Sequence, residues 1–346
     1  MNKIIVNRDK NIDVLRGFGI LIMIMGHVGF GTIFTHYKVA FNMPLFLLIS
    51  GYLWKRPAVK FGQYLREKSR SIILPYFFFA AITFVFCIAV NIITNRTIYQ
   101  LVCFIKGILW SNQEIFPITG AIWFLQSLFW VELIYFFLSK MSFVMKNGII
   151  VLFSVVALCL EQFDVSLPFS FDSALTLLVF FHVGFSIRRS IEKRNLKASV
   201  NIFVILGVLV LNAALILFFP EVNPRTCSYG NYYMYYLNAI TATAFFYLLF
   251  IVLSKSIFRV LLKPLEIMGK YSLVFLGLNQ LIVLCFKTIY DVTIKTSGPG
   301  LMLIRSISIT IVSCFVLFGL AYVLYNSKMR ILIGQKNSFG REKDEK

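Results

Sequence analysis

"DVLRGFGILIMIMGH", residues 13–27, is apolar enough to enter lipid, yet it carries Arg16 near one end and His27 at the other. Eleven positions at 100° each come to about 20° past three full turns. A helix therefore puts both side chains on one face, with a rise of roughly 16 Å between them. A charged side chain at a bilayer centre costs at least ~2.5–3.5 kcal/mol, so each is a candidate for function. Arg16 reads either that way or as an anchor reaching the membrane surface, paired with Asp13 at i,i+3. His27 reads either as a base or as a hydrogen-bonding residue between packed helices.

The rest of the chain supports the membrane reading. Of 346 residues, 59% are hydrophobic and only 14% charged, with a mean hydropathy of +0.81. Soluble domains are about 45–50% apolar and about 25% charged. Several runs approach or exceed the ~20 apolar residues that cross a bilayer, and their helical length excludes a barrel. The expected fold is an all-α polytopic membrane protein of about ten transmembrane helices. The spans fall near 12–30, 39–54, 71–93, 119–138, 147–162, 167–187, 198–219, 232–253, 271–290 and 301–325. Lys3, Arg8 and Lys10 before the first run resemble a signal peptide, but no small-residue cleavage site follows, so that run is read as a retained helix. "TIYQLVCFIKGILW" and "KSIFRVLLKPLEIM" are expected along the membrane surface. Residues 1–330 read as one transmembrane domain and 331–346 as a disordered tail.

The formal charge of +19 is explained by topology. With both termini cytoplasmic, only Lys38, Arg96, Lys106, Arg225, Lys287, Lys295 and Arg305 of the 34 basic residues fall on the outer side, with Arg16 inside the first span. Nucleic acid is not an expected partner. The six cysteines are scattered with no CxxC pair, and the histidines are His27, His36 and His182 alone, so neither a disulfide framework nor a metal site is expected. No P-loop, GxSxG or HExxH is present.

Other residues stand out against the apolar background. In "FNMPLFLLISGYLW", residues 41–54, Pro44 either kinks a span or starts one, and Ser50-Gly51 suits close helix packing or a cavity wall. Glu132, with Gln126 before it, is either a neutral hydrogen bonder or part of a polar site. Asp172 and His182 share the sixth span, and His36 is expected in solvent between spans one and two.

These stretches, taken in order, resemble the membrane acyltransferase 3 family. "NIDVLRGFGILIMIMGH" is similar to its first helix, whose hallmark Arg-x10-His is here Arg16 and His27. "FNMPLFLLISGYLW", "REKSRSIILPYFFF", "AIWFLQSLFWVELIY", "FHVGFSIRR" and "IMGKYSLVFLGLNQLI" resemble its later blocks. The closest flavour is the group that O-acetylates sugars of bacterial surface polysaccharides. Two departures bear on substrate choice: Asn42 and Asn279 stand where many relatives have histidine, and asparagine cannot act as a base at neutral pH.

The resemblance implies transfer of an acetyl group from cytoplasmic acetyl-CoA to a hydroxyl of a sugar or lipid-linked glycan, in a bacterial cytoplasmic membrane. His27 would be the general base, with Ser50, Glu132, Asn42 and Gln126 as candidates to orient it or to stabilise the oxyanion. Arg16, Arg66, Lys68 and Arg70 would bind the donor, arginine forks suiting its phosphates. Three rivals remain: a polysaccharide exporter with no chemistry, a transferase for succinyl or another acyl group, and a glycan polymerase, against which the lack of a large outer loop counts.

Overall fold

The chain was analysed as a computed structural model that describes residues 9–111, 115, 118, 120–194, 202–217, 222–293 and 298–335. Thirteen α-helices run through these residues: α1 Lys10–Val28, α2 Thr32–Leu53, α3 Phe61–Lys68, α4 Leu74–Thr94, α5 Leu101–Leu109, α6 Trp123–Leu138, α7 Phe143–Gln162, α8 Phe171–Arg194, α9 Ile202–Leu217, α10 Tyr232–Ser254, α11 Lys263–Lys270, α12 Ser272–Thr293 and α13 Pro299–Asn326. Nine helical runs among the described residues are long and apolar enough to cross a membrane, α3 and α4 counting as one run. They match nine of the ten expected spans. At the seventh, α9 is 16 residues among the described ones, about 24 Å against a hydrocarbon core of about 30 Å. This is a multi-pass membrane protein.

Local chemistry sets the helix ends. Asp9 caps α1 by accepting from the Asn11 N–H at 2.9 Å, and Asp13 puts negative charge in the first turn. The short turn into α2 needs Gly29 and Gly31, with φ of 98° and 96°. Pro44 lies well inside α2, so the reading in which it starts a span does not hold. Pro75 has a different effect: lacking an N–H for the Ser71 carbonyl, it follows a π-turn at Ser69–Ile73 that joins α3 to α4.

Two crossings bring backbones into direct contact. A Cβ on Gly17 would overlap the Leu265 carbonyl of α11, and one on Gly269 would overlap the Asp13 carbonyl of α1. Each would lie 3.0 Å from the other glycine's nitrogen. Gly51 and Gly184 repeat the arrangement between α2 and α8. Helices in lipid gain no hydrophobic drive toward one another, so close packing through small residues is a principal attraction. Helix α1 becomes the hub, touching α2, α10, α11, α12 and α13. The "KSIFRVLLKPLEIM" stretch is thus divided. Ile257 and Leu261 are exposed as a surface segment would be, whereas α11 is locked against α1.

Side-chain distribution is inverted, as lipid requires. Phe203, Val151 and Phe315 are exposed on α9, α7 and α13, while Asn42, Gln126, Glu132, Asn238 and Asn279 are buried. Hydrogen bonds show which helix ends share a face. Ser306 at the start of α13 donates to the Gly29 carbonyl, and Lys287 on α12 to the His27 carbonyl, on what we term the far face. On the near face, where α1 begins, Arg188 donates to the Tyr52 carbonyl and Arg70 to the Gln335 carbonyl at 2.8 Å. Ile333 is buried, so residues 331–335, expected in a disordered tail, belong to the folded body. The rest of that tail lies outside the described residues.

Adding one methyl group at the α1–α11 crossing tests this packing. Gly17→Ala and Gly269→Ala are each expected to cost about 1–3 kcal/mol through overpacking. Gly148→Ala, on a helix face with nothing within 4 Å, is the control. Melting of the detergent-solubilised protein is the readout, and equal melting temperatures for the three variants would contradict the crossing.

Candidate functional site

His27 occupies the last turn of α1 and lines a cavity of about 300 Å³ on the far-face half of the bundle. Three kinds of segment build the cavity. Helix α2 contributes Thr35, Lys38 and Asn42, the run into α6 contributes Gly120 and Trp123, and the 222–225 segment contributes Asn223 and Arg225. Gln280 of α12 closes it, with Oε1 accepting from the Gly120 N–H at 2.8 Å. Asn42 donates to the Gly19 carbonyl at 2.8 Å, which fixes its amide, while its buried Oδ1 has no hydrogen-bond partner among the described residues.

The segment carrying Arg225 is pinned at several points. Asn223 and Ser228 exchange backbone hydrogen bonds of 2.7 and 3.1 Å, and Glu161 at the end of α7 accepts from the Tyr229 N–H at 2.7 Å. Cys227 packs 3.3 Å from Ser173. Burial pushes its thiol up to about 12, so it is a packing group and not a nucleophile. Arg225 itself donates from Nε to the Ser111 carbonyl at 2.7 Å. Ser111 in turn donates to Gln126 Oε1 at 2.6 Å, and Gln126 donates to the Ile108 carbonyl at 2.9 Å. Gln126 therefore acts on the cavity through Ser111 and Arg225.

The other sequence-derived candidates are distributed as follows. Arg66, Lys68 and Arg70 come together at a second cavity, of about 830 Å³, on the near face. Glu132 belongs beside them and not beside His27. Its Oε1 is 2.8 Å from Lys68 Nζ, and its Oε2 accepts from the Tyr64 hydroxyl at 2.5 Å. Tyr64 in turn accepts from Trp54 Nε1 at 3.1 Å. Ser50 is eight residues past Asn42 on α2, about 12 Å toward the near face, and does not line the His27 cavity. Arg16 is partly exposed, sits 3.8 Å from Asp13 and lines neither cavity. That ion pair is the one the anchor reading expects.

Two of the remaining polar residues, Asp172 and His182, prove to be local fasteners. Asp172 caps α8, accepting from the Leu167 and Ser173 N–H groups. His182 bridges the Tyr135 hydroxyl at 2.9 Å and Asn147 at 3.0 Å. His36, expected in solvent, is half-buried within α2.

Lys38, Arg225 and Gln280 were missed as cavity residues. Lys38 and Arg225 were legible only as exceptions to the charge asymmetry, and Gln280 only as a polar residue in an apolar run.

A family model described as an acyltransferase domain matches residues 9–326. No curated protein and no solved structure matches the chain.

The near-face clamp generates a stability prediction. Glu132→Ala leaves Tyr64 and Lys68 without their acceptor and is expected to cost about 1–3 kcal/mol. Glu132→Gln, which still accepts from Tyr64, is expected to fall between it and wild type. Thermal melting in detergent checks this order, and an Ala variant as stable as wild type would rule the clamp out.

Proposed function

The chain belongs to the acyltransferase domain family, and on that premise we propose that it moves an acetyl group from acetyl-CoA to a hydroxyl of a cell-surface sugar or its lipid-linked precursor. The membrane would be the bacterial cytoplasmic one, with both termini inside. The observation that supports the reading is the polarity along α1: a cavity lined by Arg66, Lys68 and Arg70, with Glu67 beside them, at the near face, where α1 begins, and a polar cavity holding His27 at the other end.

In this reading the donor's phosphates meet Arg66, Lys68 and Arg70, whose charges suit a polyanion. Arg16, partly exposed and nearly two turns into α1, would steer the donor inward, sharing its charge with Asp13. The roughly 16 Å from Arg16 to His27 would be crossed by the extended arm of the donor. At the far end His27 removes the proton from the sugar hydroxyl as its oxygen attacks the thioester carbonyl. The C–S bond then breaks, and the departing thiolate takes the proton from His27. An imidazole suits both steps, since its ordinary pKa of about 6.5 lets it accept and release a proton near neutrality. Asn42, one of the four residues the sequence offers for orienting the base or stabilising the oxyanion, and Gln280 would contribute amide groups beside the reacting atoms, whereas Ser50, Gln126 and Glu132 do not line the cavity.

Losing a general base typically lowers turnover by about 10²–10⁴-fold. His27→Ala is expected to fall in that range with its membrane level unchanged. The measurement is O-acetyl content of surface polysaccharide by proton NMR, in a deletion strain complemented with wild type or variant. Polysaccharide lost from the surface in the deletion and restored by His27→Ala would replace this reading with that of an exporter.

A further inference from the structure

Gln280 and Asn42 each place a side-chain amide on the wall of the His27 cavity, and each is anchored by a backbone group that can play only one part. A peptide N–H only donates, so the atom of Gln280 that meets the Gly120 N–H is Oε1. A peptide carbonyl only accepts, so the atom of Asn42 that meets the Gly19 carbonyl is Nδ2. The two amides are thereby turned opposite ways. Among the described residues nothing takes the Nε2 hydrogens of Gln280, and nothing donates to the buried Oδ1 of Asn42. Gln280 offers the cavity a donor, and Asn42 leaves it an acceptor.

Depth orders these groups. Asn42 meets Gly19, which lies eight residues along α1, about 12 Å, to the near-face side of His27. Gln280 lies seven residues, about 10 Å, to the near-face side of Lys287, whose Nζ reaches the His27 carbonyl. Both amides are therefore on the side of His27 from which the proposed donor arrives. The Cα–Cβ bond of a helical residue tilts toward the helix N-terminus, so the imidazole leans from the end of α1 toward them.

We propose that Gln280 donates to the thioester oxygen as it becomes an oxyanion, and that Asn42 Oδ1 accepts from an amide N–H on the arm that carries the thioester. This rests on the acyltransferase reading above and assigns its transition-state contact. When the sugar oxygen bonds to the thioester carbon, the C=O electron pair moves onto oxygen, and its return expels the thiolate. The Gln280 amide is fixed before that charge develops, so no rearrangement is needed at the moment of reaction. A pantetheine arm bears amide N–H groups close to its sulfur, and one left unbonded in a poorly hydrated site would weaken donor binding. Asn42 thus belongs to binding and Gln280 to the chemical step.

Broken-cell envelopes of the deletion strain, complemented with wild type or variant at matched membrane levels, retain the native acceptor. Incorporation of labelled acetyl from acetyl-CoA is measured as initial rate against donor concentration. Gln280→Met is expected to lower kcat by about 10²–10³-fold while KM for acetyl-CoA stays within about threefold of wild type. Gln280→Glu keeps an oxygen for the Gly120 N–H but loses the amide hydrogens, and is expected to lose at least as much. Asn42→Leu is expected to raise KM for acetyl-CoA about tenfold and to change kcat by less than that. Near-wild-type kcat in Gln280→Glu would reduce Gln280 to a structural contact with Gly120 and overturn the oxyanion role. An unchanged KM in Asn42→Leu would overturn the contact with the arm. Wild-type envelopes that incorporate no label would instead bring down the acyltransferase reading itself, and this assignment with it.

Discussion

Everything polar in this protein depends on how closely α1 can approach its neighbours. Lipid supplies no hydrophobic force to press helices together, so the bundle relies on shape and on short-range attraction. Gly17 and Gly269 let two backbones meet with nothing between them, and Gly51 and Gly184 do the same for α2 and α8. These crossings fix the near-face halves of the two helices that carry Arg16 and His27 on one hand and Lys38 and Asn42 on the other. The far-face halves are then free to diverge around a cavity. Close contact at one end and space at the other is the arrangement that lets one hydrophobic helix hold an ionisable group beside a polar cavity.

The helical membrane architecture was legible because it rests on run length and on the exclusion of charge from lipid, both local properties. So was the shared face of Arg16 and His27, which follows from helical pitch. Glu132 shows where such reasoning stops. Its burial could be inferred from the run around it, but its partners come from Tyr64 and Lys68, more than sixty residues away in the chain. No periodicity encodes which face of α6 meets α3. Arg225 illustrates the same limit from the other side. It lies in a connecting segment, where a basic residue has an ordinary explanation in solvent, and only the fold of that segment against Glu161 turns it inward.

The glycines tell a related story. Each could be read from the sequence as a small residue suited to packing, and Gly17, Gly51, Gly184 and Gly269 are that. Gly26 and Gly120 differ, since each faces a charged side chain, which can shift, and not a helix backbone. Composition cannot separate these two uses. The distinction depends on what stands opposite, which is set by tertiary structure.

The 222–231 segment hangs over the His27 cavity from an isolated pair of backbone bonds, one carboxylate and one packed thiol, while the helices beneath hold themselves together through their own crossings. His27 and the rim above it are therefore held by parts of the chain with separate structural obligations. A lineage could rewrite residues 222–226 and so reshape the cavity wall, without disturbing the bundle that positions His27. Among descendants of such a chain, diversity should accumulate at this rim and leave α1 nearly untouched.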